Sequence, residues 1–334
     1  MNISRREFVQ GSVAAAAASM VLASGANADE GPMSPIIDCH QHLWDLRRFN
    51  LPWLTPGGVI GRSFVMSDYL AAIEGTGIKH AVYMEVDVAA DQKQEEVDYI
   101  VEICRSGSTP TVSSVVGGNP SSESFREYAS RLKGNPYVRG VRQVLHGGLK
   151  PGAALETAFV SHIRLLGELG LSFDLCMRPQ DLGDAIKLTE LCRDTFFILD
   201  HCGNGDPKAF LTVGQRGGKA PSHDKEEWKK HIAGLAERRN VVCKISGIVA
   251  SAPEGWTADT LAPVVNHCLN SFGPDRVVFG SDWPVCLKGA KLSEWVAALR
   301  EIISNRPAAD QRKLLYDNAV RIYRLEDLIN DNDQ

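Results

Sequence analysis

Eight short apolar runs, separated by helix-like stretches, constrain this sequence more than any other feature. They fall at Ile36–His40, Ala81–Val86, Thr111–Val116, Val138–Leu145, Leu171–Met177, Phe196–His201, Val241–Ser246 and Arg276–Ser281. Near-continuous apolar runs of this length read as strands buried on both faces, the pattern of a parallel sheet covered by helices. The segments between them carry helical stripes: Leu155, Phe159, Ile163 and Leu166 share one face, as do Trp295, Leu299, Ile302 and Ile303. Eight strands, each followed by a helix, predict an α/β fold of the (β/α)8 TIM barrel type. An open doubly wound sheet would want a Gly-rich phosphate turn after an early strand, and the sequence has none. No linker, low-complexity run or short repeat interrupts residues 29–334, which read as a single barrel domain.

In such a barrel the chemistry sits at the C-terminal ends of the strands. The first run ends in His40-Gln41-His42. Side chains alternate along an extended strand, so His40 and His42 are expected on one face and Cys39 and Gln41 on the other. Two imidazoles on one wall reach a single cation or a single reacting group. The second run carries Tyr83, Glu85 and Asp87 in phase, the fourth Arg142 and His146, and the fifth Asp174 and Arg178. The sixth ends at His201, the seventh carries Lys244 and Ser246, and the eighth ends in Ser281-Asp282-Trp283-Pro284. Charges inside apolar strands are costly unless paired or functional. For Asp174 and Lys244 both readings stand, a buried ion pair or a contact to substrate. Three histidines and an aspartate at one catalytic face point to chemistry.

These motifs together resemble a known family. The segments IIDCHQHLWD, VRGVRQVLH, LSFDLCMRPQDL, FFILDHCG, VVCKISG, VVFGSDWPV and LLYDNAVRIYRL are similar to the amidohydrolase superfamily. Closest is its amidohydrolase-2 branch, which includes sugar-lactone hydrolases and 2-pyrone-4,6-dicarboxylate lactonase. The resemblance spans Pro35 to Leu325 and implies a (β/α)8 barrel that hydrolyses or decarboxylates small carboxylated or lactone substrates. It implies core site residues at His40, His42, His201 and Asp282, and a substrate-binding arginine at Arg142. The chain departs from the wider superfamily in having no lysine in Val138–His146 and no histidine in Leu171–Met177. A binuclear centre is therefore not expected. One divalent ion at most, zinc in the first place, is expected on His40, His42, His201 and Asp282, with Glu85 as a candidate extra ligand.

Opening a lactone needs an activated water, a polarised carbonyl and a protonated leaving oxygen. Asp282 is the expected general base, with Arg142 or His201 steadying the oxyanion. Arg142, Tyr83, His146, Asp174, Lys244 and Trp44 are the expected substrate contacts. A metal-dependent decarboxylase on the same barrel is the alternative, and a non-catalytic periplasmic binding protein the third reading. Two long loops, Leu43–Met66 and Gly203–Asp224, leave the catalytic face and read as lids or binding loops. In the second, Arg216, Lys219 and His223 are candidate contacts.

Residues 1–28 read as a twin-arginine signal peptide. Arg5-Arg6 with Phe8 precede an Ala-rich run that is too short and too weakly apolar to span a bilayer, and Ala26-Asn27-Ala28 offers a cleavage site. The expected partners are the twin-arginine export machinery and a small-molecule substrate, the expected location is the periplasm, and no stable membrane insertion is expected. The full chain carries a net charge of −5, which argues against nucleic acid as a partner. Eight cysteines without a paired motif, several inside apolar runs, are expected to be buried free thiols. Replacing Arg5 and Arg6 by lysine is expected to hold the protein in the cytoplasm. Cell fractionation checks this, and undiminished periplasmic protein would refute the export reading.

Overall fold

The computed structural model describes residues 34–147 and 149–329, so the signal-peptide reading of residues 1–28 lies outside the described residues. Eight strands form one parallel sheet in chain order: β1 Ile36–Gln41, β2 Ile78–Met84, β3 Thr111–Gly117, β4 Val138–Val144, β5 Ser172–Cys176, β6 Phe197–Leu199, β7 Val241–Ile245 and β8 Val277–Phe279. Each coincides with one of the eight apolar runs. The sheet closes on itself just past β8. Asp282 N donates to His40 O at 2.9 Å and His42 N to Trp283 O at 2.8 Å. The fold is a (β/α)8 barrel.

The helices cover the outside with the stripes read from the sequence. Helix Thr157–Glu168 buries Phe159, Val160, Ile163, Leu165 and Leu166, and helix Leu292–Ile303 buries Trp295, Val296, Leu299 and Ile303. Inside the barrel lies a second, smaller core. Ile37, Cys39, Val82, Met84, Val115, Ile198, Val242 and Val278 meet Tyr316, Ala319, Tyr323 and Leu325 from the closing segment. That segment therefore forms the floor of the barrel, and the polar layer of the site is built on top of it. All eight cysteines are buried free thiols. Among the described residues no helix is long and apolar enough to cross a membrane.

The seam between β1 and β8 is reinforced by a buried carboxylate. Asp38 Oδ1 accepts from Ser281 N at 2.7 Å and from His40 N at 3.0 Å, while Oδ2 accepts from Ser281 Oγ at 2.5 Å and from Tyr69 Oη at 2.8 Å. The strict alternation expected along β1 does not hold at its end. Cys39 packs in the interior core with Ile37, yet His40 beside it also faces the site. The reason is a register shift between β1 and β2 in the interval Asp38 to Gln41, which breaks the two-residue period.

Both long loops are pinned rather than loose. Trp44 and Phe64 exchange backbone hydrogen bonds of 2.8 Å, and Trp53 Nε1 donates to Val86 O at 2.7 Å. In the second loop Asp206 accepts from Lys208 N and Ser222 N, and His223 accepts at Nε2 from Asp206 N while stacking on Trp228. Removing the seam carboxylate is expected to destabilise the whole barrel. Asp38→Ala strands several buried donors and should cost about 2–4 kcal/mol, against about 1 kcal/mol for Tyr69→Phe. Urea midpoints check the ranking, and an unshifted midpoint for Asp38→Ala would show that the seam contributes nothing.

Candidate active site

A cavity of about 660 Å³ opens at the C-terminal ends of the strands. Its floor is formed by His42, Arg142, His201 and Asp282, and Trp44 and Trp53 form one wall with their rings 5.8 Å apart and nearly perpendicular. The backbone bends sharply to present these groups. Asp87, His201 and Asp282 follow strand ends with φ of +48°, +53° and +57°, a region that costs non-glycine residues energy. Strain of this kind persists where surrounding contacts over-determine it.

Hydrogen bonding fixes the histidine tautomers. His42 Nδ1 lies 2.9 Å from Met84 O, which can only accept, so Nδ1 carries the proton. The lone pair on Nε2 of the neutral ring then faces Asp282 Oδ1 at 3.3 Å. Two acceptors in contact call for a cation between them, either a proton or a metal ion. His40 Nε2 lies 3.2 Å from Arg142 Nη1, and a guanidinium can only donate, so Nε2 accepts. His40 Nδ1 therefore carries a proton and faces Asp200 Oδ1 at 3.5 Å. His201 Nδ1 pairs with Ser246 Oγ at 2.9 Å, leaving Nε2 for the cavity. One ligand atom each from His40, His201 and Asp282 lies within 4.8 Å of the others.

Beneath this layer runs a ladder of alternating charges. Glu85 Oε1 accepts from Arg142 Nε at 2.7 Å, and Arg142 Nη1 reaches Asp200 Oδ2 at 3.4 Å. Lys244 Nζ lies 2.9 Å from Asp200 Oδ1 and 2.8 Å from Asp174 Oδ2. Burial opposes every one of these charges; pairing outweighs it at Glu85, Arg142, Asp200 and Lys244, whereas burial and the nearby Asp200 leave the Asp174 carboxyl pushed up to about 7 despite Lys244. Burial raises Asp282 but the surrounding His201, His42 and Arg142 outweigh it and hold the carboxyl below its usual value. Asp200 is held well below its usual value against burial, chiefly by Lys244 and His40. Lys244 stays protonated against burial through Asp174 and Asp200. Burial, helped by Lys244, lowers His40 well below the usual imidazole range, which keeps it neutral.

The expected site residues separate into three groups. His42, Trp44, Arg142, His146, His201 and Asp282 line the cavity, and His40 packs directly below it. Glu85 does not present a free oxygen to a metal: Oε1 is taken by Arg142 and Oε2 by Asp87 N at 2.7 Å. Tyr83, Asp174 and Lys244 are corrections, since none lines the cavity. Tyr83 turns outward and its hydroxyl donates to Glu96 Oε1 at 2.9 Å. Asp174 and Lys244 are wholly buried in the ladder. The Trp44 indole N–H is committed to Arg62 O, so it offers the cavity a ring face only. His223 is an internal brace, and Arg216 and Lys219 stay off the cavity lining.

Asp200 was not among the expected site residues, and Arg178 and Ser246, placed at the catalytic face by strand phase, were given no role there. Asp200 had a legible signal, a charge closing the apolar run Phe196-Phe197-Ile198-Leu199, but it stood next to the more conspicuous His201. Arg178 lines the cavity wall with its Nε held by Asp181 Oδ2 at 2.5 Å.

The family profile described as amidohydrolase matches residues 37–325. An L-fucono-1,5-lactonase of Burkholderia multivorans is 28% identical over 301 residues, covering 86% of this chain and 96% of the relative. An L-rhamnono-gamma-lactonase of Scheffersomyces stipitis is 22% identical over 342 residues, covering 87% and 98%. Among solved structures, a Burkholderia multivorans amidohydrolase with bound zinc superposes with a TM-score of 0.74 at 22% identity, covering 87% of this chain and 99% of that one.

One buried carboxyl behind the ladder yields a pH prediction. Glu96 accepts from Tyr83 Oη and Val86 N, and burial together with Glu85 pushes its carboxyl up to about 7. An acid whose folded pKa is raised stabilises the fold below its unfolded value of about 4.3, and this is lost as pH rises toward the folded value. Glu96→Gln keeps the shape without ionising. It is therefore expected to gain on the wild type by on the order of 2 kcal/mol between pH about 5 and about 7.5. Urea melts across that window check it, and a constant difference between the two proteins would refute it.

Proposed function

The chain belongs to the amidohydrolase family, and from that premise we propose that this hydrolase opens a lactone of a small sugar-derived or carboxylated substrate. The observation that carries the reading is Asp282, an ionised carboxylate on the cavity floor with His42 at 3.3 Å and His40 at 3.7 Å. The names of the lactonase relatives support the substrate class.

The residues fit one divalent cation. His201 and Asp282 each offer one ligand atom within 4.8 Å of the other and of one from His40, and His42 Nε2 faces Asp282 Oδ1 at 3.3 Å. His40 Nε2 is nearby but already accepts from Arg142. Zinc suits such a mixed nitrogen and oxygen set. A divalent ion bound there would make water more acidic and polarise the substrate carbonyl.

The chain's own groups carry the proton and the charge. Asp282 accepts the proton of the attacking water and returns it to the departing alkoxide, so the carboxylate is regenerated in each turnover. Arg142 makes four hydrogen bonds, from Nε to Glu85 Oε1, from Nη1 to His40 and Asp200, and from Nη2 to Glu85 O. A guanidinium has five N–H groups, so one on Nη2 remains for substrate. A single donor suits one oxygen, the developing oxyanion, better than a carboxylate gripped at both oxygens. The ring faces of Trp44 and Trp53 give the C–H side of a ring an apolar wall.

Asp282→Asn keeps the shape but cannot take a proton. It is expected to lower kcat by about 10²–10⁴ while the product acid still binds. Each turnover should release one acid proton and no carbon dioxide. Chelation followed by metal titration should restore no more than one equivalent per chain. Stoichiometric carbon dioxide from the best substrate, or full lactone turnover by Asp282→Asn, would replace this reading with the decarboxylase.

A further inference from the structure

We infer that Asp174 and Lys244 are positioning residues: together they hold Asp200 in place, and through it set the orientation of His40 and Arg142 beneath the reacting centre. The inference rests on the hydrolase reading above for what His40 and Arg142 do, but the arrangement itself is geometric.

Lys244 on β7 reaches sideways to Asp174 on β5 at 2.8 Å and upward to Asp200, past the end of β6, at 2.9 Å. All three side chains are fully buried. Asp200 in turn faces His40 Nδ1 with one oxygen and Arg142 Nη1 with the other. Those two contacts are the longer ones, at 3.5 and 3.4 Å, so Asp200 is fixed from below by Lys244 and presents its remaining edge to the site. The result is one tautomer of His40 and one pose of the guanidinium. Neither Asp174 nor Lys244 lines the cavity, so neither touches substrate.

A buried ion pair whose only role is to complete the core is the competing account. The two roles are separable because the pair as a whole is neutral. Replacing both members with apolar residues of similar size, Lys244→Met with Asp174→Leu, leaves the net charge of the ladder unchanged and removes the anchor, with Arg142 remaining as the counter-ion of Asp200. Replacing a buried pair in this way is often neutral for stability, whereas removing one partner is costly. Asp174→Asn does the reverse: it changes the charge but still accepts from Lys244, so the anchor survives.

The test uses the purified full-length protein. Lys244→Met alone should lower Tm by on the order of 10 °C, and the double variant should recover most of that loss. In the folded double variant kcat should still be down about 10–100-fold, the usual cost of losing a group that orients a site residue. Nitrogen-15 spectra of labelled histidine should show the single His40 tautomer of the wild type giving way to a mixture. Asp174→Asn should keep both kcat and the tautomer. If the double variant does not fold, Asp174→Leu takes its place, since Lys244 keeps Asp200 as a partner. A folded anchor-less variant with wild-type kcat and an unchanged His40 signal overturns the inference. So does Asp174→Asn losing activity as severely as the anchor-less variant, because charge would then be what matters. The tautomer signal needs no substrate, so it decides the inference even if no lactone is turned over and the lactonase reading fails.

Discussion

A fully buried carboxylate has to be held by cations, and in this barrel that constraint falls on Asp200. It follows β6 at the middle of the barrel, where Lys244 and Arg142 are its counter-ions. Meeting the constraint decides much else. Lys244 needs Asp174 to stay charged at that depth. Arg142 needs Glu85, and bending over both carboxylates commits most of its donors. The low dielectric that makes each charge expensive also makes each pairing strong and directional. The floor of the site is therefore stiff before any substrate arrives.

That stiffness is matched by strain in the layer above. His201 and Asp282 are held at positive φ immediately after their strands, next to residues locked by hydrogen bonds on both sides. Cβ-bearing residues adopt this backbone only when neighbours hold them there. Here the neighbours are the Asp38 seam, the Ser246 hydroxyl and the charge ladder. The apolar floor supplied by Tyr316, Tyr323 and Leu325 offsets the cost from below.

The strands and the broad position of the site were legible in the sequence because both follow from local pattern. Apolar runs mark β1 to β8, and the polar residues at their ends mark the catalytic face. What was not legible depends on partners distant in sequence. Tyr83 looks equivalent to Glu85 by period two, yet it turns outward because Glu96, thirteen residues on, offers its hydroxyl a buried acceptor. Glu85 looks like a ligand until Arg142 is brought against it from β4. His40 faces the site although Cys39 faces the core, and only the shift in pairing with β2 reveals that. Asp174 and Lys244 were correctly placed among the strands, but depth below the cavity is a property of the closed barrel and not of either segment.

The Asp38 to Ser281 contact joins residues 243 positions apart in the chain. Until β8 has been made, β1 has no neighbour on that side, and the sheet has two open edges carrying unpaired backbone groups. Such edges invite pairing with other chains. Bringing the ends together is entropically costly and gives nothing back until the last strand docks. The same late segment supplies the floor of the barrel. A growing or truncated chain thus lacks both its seam and its base, so folding has to wait for nearly complete synthesis. The nascent protein is most exposed to self-association at the ribosome, long before its catalytic face exists.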